Sequence, residues 1–351
     1  MLRSVRQLSS GASKIWAKTG QGDNRQLWMP LYVHMGDSAA IARYLWRWLP
    51  ESTRCYVRNQ TGLDACSAEC LVTLVAGLHD IGKCTPNFQA KVEERMDYAQ
   101  RYGYRFAHVP KSFSHAFMGE LALKDLLPQR GWTDAAARAC ASVVGGHHGA
   151  NPNRADLKTI QQETLLDANA AMGDEVWCDT REELTDWLIS HTVDAGTVGD
   201  ISKCRVPPYA QILLTGIVIM ADWIASNTDF FPLVESVDAW QSFEGRAHSA
   251  WNELALPNHL DFRCDSASER LFRVRFPNIP PDATMFDVQG KALMAAQDMR
   301  SPSLLIIEAP MGCGKTEASL LCAEVLASKF GMGGIGYLLP TMATSNAMFR
   351  S

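Results

Sequence analysis

The stretch Leu71-Val-Thr-Leu-Val-Ala-Gly-Leu-His-Asp-Ile-Gly-Lys83 joins a run of apolar residues to three ionisable side chains. The apolar part predicts a buried helix, at whose end His79, Asp80 and Lys83 lie close together. A rigid apolar anchor followed by ionisable groups is what a metal site requires. Adjacent His and Asp residues also occur by chance, and a hydrogen-bonded structural histidine is the common alternative. The stretch therefore predicts a metal site only if further ligands exist elsewhere in the chain.

The length and composition of the chain are those of a globular protein with two domains. The chain has 351 residues, of which 47% are hydrophobic and 20% charged, and its formal net charge is −5. This length exceeds that of one typical hydrophobic core. The acidic balance argues against a protein that binds nucleic acid with its whole surface, but it leaves room for a local basic groove.

Cysteine usage and hydropathy predict a cytoplasmic protein with no membrane partner. The 10 cysteines include no CxxC array, and the nearest pair, Cys66 and Cys70, has no partner pair that would complete a zinc site. Buried reduced thiols are typical of a cytosolic protein. The N-terminus lacks the apolar core of a signal peptide, and the longest apolar run, Ile212–Met220, is too short to span a membrane.

Helical periodicity recurs along the first two-thirds of the chain, and the predicted helices carry ionisable residues at or near their ends. We expect Gly82 to let the backbone leave the helix Ala65–Ile81, because glycine tolerates a positive φ angle. We also expect His115 in the first turn of a helix, with Ser112 or Ser114 as the N-cap. The other such helices are Ser38–Leu49 after His34, Ala135–Val144 before His147 and His148, and Pro207–Ser226 around Asp222.

Seven residues on five segments form the candidate metal site: His34, His79, Asp80, His115, His147, His148 and Asp222. Neutral imidazole suits first-row transition metals such as Mn, Fe, Co and Ni, and a carboxylate can bridge two ions. Two ions can activate a water and stabilise both oxygens of a phosphodiester displacement. Asp80 is the natural bridging candidate, and Lys83 is better placed as a partner for a phosphate. Each residue alone can be a cap, a core histidine or part of a salt bridge, but together the five segments favour a site.

The order of these residues, H … HD … H … HH … D, resembles the HD-domain metal-dependent phosphohydrolases. Leu78-His-Asp-Ile-Gly-Lys83, Gly145-Gly-His-His-Gly149 and Ala221-Asp-Trp223 resemble the nuclease domain of the CRISPR-associated type I nuclease–helicase family, with subtype I-E as the best fit. The resemblance implies a mainly α-helical HD-domain fold with a two-metal centre that cuts single-stranded DNA. It also implies that the seven residues are the ligands, that Asp80 and Lys83 are catalytic, and that the Cascade surveillance complex recruits the enzyme. Phage inhibitor proteins are further expected partners.

A phosphate-binding loop lies near the end of the sequence. Ala309-x-x-x-x-Gly314-Lys315-Thr316 has the P-loop spacing, with alanine in place of the first glycine. A strand is predicted before it at Ser303–Glu308, a helix after it at Glu317–Phe330, and a second strand at Gly334–Leu339. Strand, loop, helix and strand in this order predict the beginning of an α/β RecA-like domain.

The P-loop resembles motif I of the superfamily 2 helicases, and Leu339–Ala347 resembles their motif Ia, which contacts the DNA backbone. The resemblance implies that the full-length protein binds ATP and Mg²⁺. The expected contacts are Gly312, Gly314, Lys315 and Thr316 for the phosphates and Mg²⁺, and Gln289 for the adenine.

We expect an HD nuclease domain at residues 1–230, a connector at 231–272 and a truncated first RecA-like domain at 273–351. No Walker B motif, second RecA-like domain or arginine finger follows the loop. The chain is therefore expected to be a fragment of a protein more than twice as long, and not to unwind DNA by itself.

The predicted function is metal-dependent endo- or exonucleolytic cleavage of single-stranded DNA in CRISPR interference. In the full-length protein this cleavage is expected to be coupled to ATP-dependent 3′–5′ helicase activity. Two alternatives stay open: a nucleotide phosphohydrolase of the HD type, and a non-catalytic module that docks Cascade or an inhibitor.

Overall fold

A computed structural model describes residues 7–20, 22, 26–107, 113–237, 239–257, 268–280 and 282–339. These residues are mainly α-helical. The chain divides into two compact units: one is Met1–Trp48 with Arg54–Leu256, and the other is Leu49–Thr53 with Pro257–Ser351.

The described helices of the first unit, in chain order, are α1 (Leu31–Trp48), α2 (Glu51–Thr61), α3 (Ala65–Leu78), α4 (Pro86–Gln89), α5 (Glu93–Gln100), α6 (His115–Gln129), α7 (Asp134–Gly145), α8 (Arg154–Leu166), α9 (Glu175–Thr192), α10 (Ala195–Ile201), α11 (Pro208–Ser226) and α12 (Trp240–Leu254). Short 3₁₀ turns lie at Ala12–Lys14, Ile81–Lys83 and Ala168–Ala170. Two strands, β1 (Trp16–Thr19) and β2 (Trp28–Pro30), pair antiparallel. The second unit contains α13 (Ser268–Arg275), α14 (Asp287–Asp298) and α15 (Lys315–Lys329).

Helices α1 and α3 form the centre of the first unit. Residues Leu31–Ala42 of α1 are buried on all sides, and α1 packs against α3, α11 and α12. The α3 helix begins after the N-cap Asp64, whose side chain accepts a hydrogen bond from the first turn. Gly77 lets α3 approach its neighbours closely, because a Cβ atom there would lie 2.6 Å from Leu188 and 3.1 Å from Ala39.

The structure corrects the start of the first predicted helix. The sequence predicts a helix at Ser38–Leu49 with His34 before it, but α1 begins at Leu31, so His34 lies within the helix. Residues 31–37 are all buried and therefore lack the polar face on which a helical period depends. His34 is consequently held by helical backbone inside the core.

Two stretches in which the sequence shows little periodicity are also helical. Residues 84–107 contain α4 and α5, and residues 150–200 contain α8, α9 and most of α10. These helices are short or largely polar, which weakens the apolar period, although Trp177 of α9 is completely buried. In the predicted connector, α12 packs against α1 and belongs to the first compact unit. The domain limits 1–230, 231–272 and 273–351 stay predictions.

Two helical stretches have the length and composition to cross a membrane. The first, Ala65–Lys83, has 78% of its apolar window buried and contains the core helix α3. The second, Pro208–Ser226, has 33% of its window buried and packs against α1, α3 and α7. Core helices pass the same test, so composition alone is weak evidence for a membrane span.

The second unit has its own small core, in which α14 packs against α15 through Leu293 and Leu321. The predicted helix after the P-loop is present as α15. The predicted strands Ser303–Glu308 and Gly334–Leu339 are wrong, since neither forms a strand in the described residues. A strand needs a partner for its backbone hydrogen bonds, and the only described sheet is the β1–β2 pair. Leu304 and Leu338 are accordingly 84% and 94% exposed.

Candidate metal centre

The structure brings all seven predicted ligands together. His34 comes from the start of α1, the His79-Asp80 pair from the end of α3, and His115 from the first residue of α6. The remaining three residues are His147 and His148 after α7, and Asp222 in α11. Their candidate ligand atoms form two groups, each within 4.8 Å: His34, His79, Asp80 and Asp222 in one, and His115, His147 and His148 in the other.

Asp80 lies between the two groups. Its Oδ2 is 3.1 Å from His34 Nε2 and 3.3 Å from His79 Nε2. Its Oδ1 is 3.1 Å from His115 Nε2 and 3.8 Å from His147 Nε2. One oxygen of the carboxylate therefore faces each group, which is the arrangement that a bridging ligand needs.

Backbone carbonyls orient two of the histidine rings. His79 Nδ1 lies 2.7 Å from the carbonyl oxygen of Ala76, and His147 Nδ1 lies 2.7 Å from that of Val144. A neutral imidazole that donates from Nδ1 presents a bare Nε2, which is the metal-binding form of histidine. In the second group, His148 Nε2 is 3.0 Å from His115 Nε2. Two ring nitrogens at this separation can bind a single cation.

Unpartnered nitrogen atoms indicate that a cation fits here. Both ring nitrogens of His34, and the Nε2 atoms of His79 and His147, are buried without a hydrogen-bond partner in the described residues. The nearby carboxylates are close, but not in the directions of hydrogen bonds. A buried polar group without a partner costs about 1–3 kcal/mol. A cation bound by these nitrogens and by the carboxylates would remove that cost for several groups at once.

The pKa shifts favour charged carboxylates and mostly neutral imidazoles. Burial, assisted by Lys18, lowers the pKa of His34 to about 4. Burial and the neighbouring His79 lower the pKa of His147 to about 3. Burial alone would raise the pKa of Asp80, but the charges of His79 and Lys83 and the close approach of His115 and His34 outweigh it and hold that pKa well below its usual range.

His79 differs from the other histidines. Burial alone would lower its pKa, but the carboxylates of Asp80 and Asp222 outweigh that effect and raise the pKa of His79 to about 10. The same imidazole helps to hold the pKa of Asp222 far below its usual range, against the effect of burial. A metal ion needs neutral imidazole, so binding at His79 must release a proton.

Gly82 is required by a close approach of two backbones. Its tolerance of a positive φ angle is not used, since its φ lies outside the left-handed region. A Cβ atom at Gly82 would instead lie 1.9 Å from the carbonyl oxygen of His115 and 2.4 Å from the amide nitrogen of Gly119. Glycine therefore lets α6 lie directly on the turn after α3. Ser114 occupies the N-cap position of α6 without a side-chain hydrogen bond, and Ser112 lies outside the described residues.

Two lysines lie beside the centre. Lys83 Nζ is 2.5 Å from Asp80 Oδ2 and donates to the carbonyl oxygen of Ala17 at 3.4 Å. Lys18 of β1 is the residue that sequence reasoning missed. Burial and the charge of Lys83 lower its pKa to about 8, and Asp80 and Asp222 are among its charged neighbours. A lone lysine in a polar N-terminal segment carries no pattern that would have identified it.

The five predicted nucleotide-binding residues also lie together, in the second unit. The cavity of about 570 Å³ at the start of α15 is lined by Gly312, Gly314, Lys315, Thr316 and Gln289, among others. The loop turns at two glycines, with φ angles of 80° and 70°. Gln289 is buried, and its Nε2 donates to the carbonyl oxygen of Gly314 at 3.1 Å. Residues 340–347 of the predicted motif Ia lie outside the described residues.

Comparison with known families identifies the family of the first unit. The family model described as "Cas3, HD domain" matches residues 16–231. This chain belongs to that family. The matched range includes all seven candidate ligands. The fold of the first unit is thus the helical HD fold expected from the sequence.

Curated relatives extend the similarity beyond the HD domain. The CRISPR-associated nuclease/helicase Cas3 of Streptococcus thermophilus is 29% identical over 358 residues, covering 95% of this chain and 37% of the relative. The CRISPR-associated endonuclease/helicase Cas3 of Thermus thermophilus is 31% identical over 349 residues, covering 97% of this chain and 35% of the relative. The chain thus spans little more than a third of the length of the curated relatives it matches.

Solved structures share the fold. A crystal structure described as a CRISPR-associated protein has 32% identity and a TM-score of 0.79, and the match covers 98% of this chain and 38% of that one. The Thermus thermophilus Cas3 HD domain, crystallised in the presence of Ni²⁺, has 26% identity and a TM-score of 0.50, with 72% of this chain and 94% of that one covered.

Proposed function

We propose that this chain is the nuclease part of a CRISPR-associated nuclease–helicase, and that it cuts single-stranded DNA with two divalent metal ions. The observation that carries the proposal is the convergence of six candidate ligand residues on the two sides of a seventh, Asp80. The family membership and the names of the relatives support nuclease chemistry.

The residues present fit the metal ions in number and chemistry. When bound, the ions would supply a nucleophilic water and positive charge for the phosphodiester. His34, His79 and Asp222 would hold one side, His115, His147 and His148 the other, and Asp80 would join them. Mn, Fe, Co and Ni all suit this ligand set. The Thermus thermophilus HD domain in the presence of Ni²⁺ supports including nickel.

Lys83 is proposed to act on the phosphate and not on a metal ion. Its ammonium group lies against the Asp80 carboxylate, where it contributes positive charge next to the candidate bridging ligand. An ammonium group carries a positive charge and donates up to three hydrogen bonds. It can therefore stabilise the negative charge that develops on the scissile phosphate.

The second unit supports a proposal about the full-length protein. In the full-length protein, the P-loop would bind ATP and Mg²⁺, and the helicase would use this ATP to unwind DNA in the 3′–5′ direction. The Cascade complex would deliver the displaced strand to the nuclease. We expect no unwinding from this chain alone, because a Walker B acid and an arginine finger are not recognisable in its sequence. A cytoplasmic location without a membrane partner, and docking of phage inhibitors, stay proposals.

Incubation of the chain with circular single-stranded DNA and Mn²⁺ or Ni²⁺ tests the function. We expect wild type to cut the circle, and Asp80→Asn to lose more than about 100-fold in rate, since even the groups that support metal ligands contribute about 10–100-fold. DNA affinity should change little, because Asp80 is not part of a basic groove. Asp200→Asn, an exposed aspartate of α10, is the matched control and should cut like wild type.

Two outcomes would contradict the proposal. If Asp80→Asn cuts as fast as wild type, the bridging role is wrong. If wild type leaves DNA intact but hydrolyses deoxynucleoside triphosphates, the chain is a nucleotide phosphohydrolase.

A further inference from the structure

Lys18 is a largely buried lysine whose charge the metal centre does not use. Its ammonium group donates one hydrogen bond, to the carbonyl oxygen of Ala225 at 3.3 Å. No carboxylate forms an ion pair with it among the residues that the structure places. An ammonium group has three N–H donors. Two of them therefore have no acceptor in the described part of the chain, although burial of an unsatisfied charge is costly.

The position of Lys18 is built into the fold. Gln89 is completely buried; its Nε2 donates to the carbonyl oxygens of Trp16 at 2.8 Å and Lys83 at 2.9 Å. Its Oε1 accepts from Trp16 N at 3.2 Å. Strand β1 is thereby tied to the turn that follows Asp80. A β-bulge between Trp16 and Lys18 inserts Ala17 as an extra residue, and such bulges re-aim the side chains beside them.

A cavity with both polar and apolar residues in its lining lies beside Lys18. Its volume is about 720 Å³, within the range of ligand pockets. It is lined by Lys18–Gly20, by Ser226 at the end of α11 and by residues that follow this helix, including Thr228. Ser226 Oγ donates to Asp222 Oδ1 at 2.7 Å, so one residue of the cavity lining is hydrogen-bonded to a candidate metal ligand. Asp229 also lines the cavity and is its one acidic residue among those described.

The charge balance selects an anion as the ligand of Lys18. Without a metal ion, the carboxylates of Asp80 and Asp222 face three cationic groups, which are the ammonium groups of Lys83 and Lys18 and the imidazolium group of His79. Asp37, another charged neighbour of Lys18, already has a bidentate ion pair with an arginine. Divalent cations at the two carboxylates would leave the centre with net positive charge. A partly buried ammonium group with free donors then favours a negatively charged oxygen as its ligand.

We propose that Lys18 binds a backbone phosphate of the DNA strand in this cavity, next to the metal centre. The inference rests on the proposed function for the identity of the strand. Thr19 and Thr228 supply hydroxyl groups that can donate to the same phosphate or to its sugar. Lys18 and Lys83 then contact the strand at two positions, with Lys83 at the bond that is cut.

Binding of a fluorescein-labelled dT20 oligonucleotide, measured by anisotropy in chelator at several salt concentrations, tests the proposal without cleavage. Lys18→Gln keeps a donor for Ala225 but removes the charge, and Lys18→Arg keeps the charge. We expect Lys18→Gln to bind about fivefold more weakly and to lower the salt slope by about 0.7, the value of one phosphate contact on a single strand. Lys18→Arg should stay within about twofold of wild type. Lys203→Gln, an exposed lysine after α10, should match wild type.

Titration calorimetry with Ni²⁺ separates phosphate binding from a structural role. Removal of a positive charge beside the centre should leave metal affinity of Lys18→Gln equal to or tighter than that of wild type. Loss of metal and DNA affinity together, or an unchanged salt slope, would overturn the proposal. If wild type does not bind the oligonucleotide, the proposal also fails. If wild type binds it through Lys18 but never cuts, the proposed function fails and the phosphate site stands.

Discussion

Substitution of Gly82 by alanine would force two backbones apart. The added Cβ atom would lie 1.9 Å from the carbonyl oxygen of His115 and 2.4 Å from the amide nitrogen of Gly119. Real Cβ atoms do not approach closer than 3.0 Å, so α6 must move by more than 1 Å. Overpacking of a core costs about 1–3 kcal/mol, and contact with backbone atoms on a helix places Gly82→Ala at the upper end. For a unit of this size, about 3 kcal/mol lowers the melting temperature by roughly 6–12 °C.

The same displacement should damage the metal centre. His115 is the first residue of α6, and metal–ligand distances tolerate only about ±0.2 Å. We therefore expect Gly82→Ala to bind Ni²⁺ at least about tenfold more weakly, even where the protein is folded.

Thermal unfolding in chelator and calorimetry with Ni²⁺ measure the two effects. Gly245→Ala is the matched control: Gly245 is exposed in α12 with open space at its Cβ position. Alanine there should stabilise the helix by about 0.5–1 kcal/mol and leave metal binding unchanged. If Gly82→Ala melts and binds metal like wild type, the close approach of α6 does not position the ligands and the reasoning is refuted.

Three further predictions concern other buried polar groups. Arg246→Met should destabilise the protein by about 3 kcal/mol or more at pH 7.5 in denaturant titrations, because it leaves the fully buried Asp37 without its partner. Burial raises the pKa of Asp37 from 3.8 to about 6. The carboxyl group therefore stabilises the folded state below pH 4, and this contribution is lost as the pH rises through 6. For this reason the destabilisation by Arg246→Met should be smaller at pH 5 than at pH 7.5. Metal binding at pH 7.5 should release at least one proton, because His79 with a pKa of about 10 is still protonated, and calorimetry in two buffers with different ionisation enthalpies measures it. Gln289→Ala should weaken ATP binding in a nucleotide-binding assay, since it removes the side chain that bonds to Gly314.

The candidate ligands are predictable from the sequence because each lies in or beside a helix that the apolar period of the sequence predicts. His79, Asp80 and Asp222 lie in or beside the two most apolar helices, and His147 follows a third. In each case the apolar face fixes the helix in the core and so delivers its polar end to a common point. The same reasoning identifies His34, although the predicted helix begins at Ser38 and the observed helix begins seven residues earlier, at Leu31.

Lys18 could not be predicted, because its position depends on distant contacts. The strand that carries it has four residues, which is too short for a reliable period. Its place beside the centre depends on Gln89, a residue 73 positions from Trp16. Hydrophobic periodicity in the sequence predicts local helices and strands, but it does not predict a contact between residues that are far apart in the chain.

The P-loop shows the opposite case. The turn and the helix that this strong local motif predicts are present, but the predicted strands on either side are not. The glycines, the lysine and α15 appear as the motif predicts. The flanking strands do not, because strand structure depends on partner strands and not on the apolar run alone. Ile306, in the middle of one predicted strand, is 72% exposed.

The most direct test of the account is a crystal structure of the chain soaked in Mn²⁺, with anomalous scattering used to locate the ions. We predict two ions, one against His34, His79 and Asp222 and one against His115, His147 and His148. Asp80 should contribute an oxygen to each ion. A structure with no ion at these residues, or with ions that Asp80 does not touch, would contradict the account.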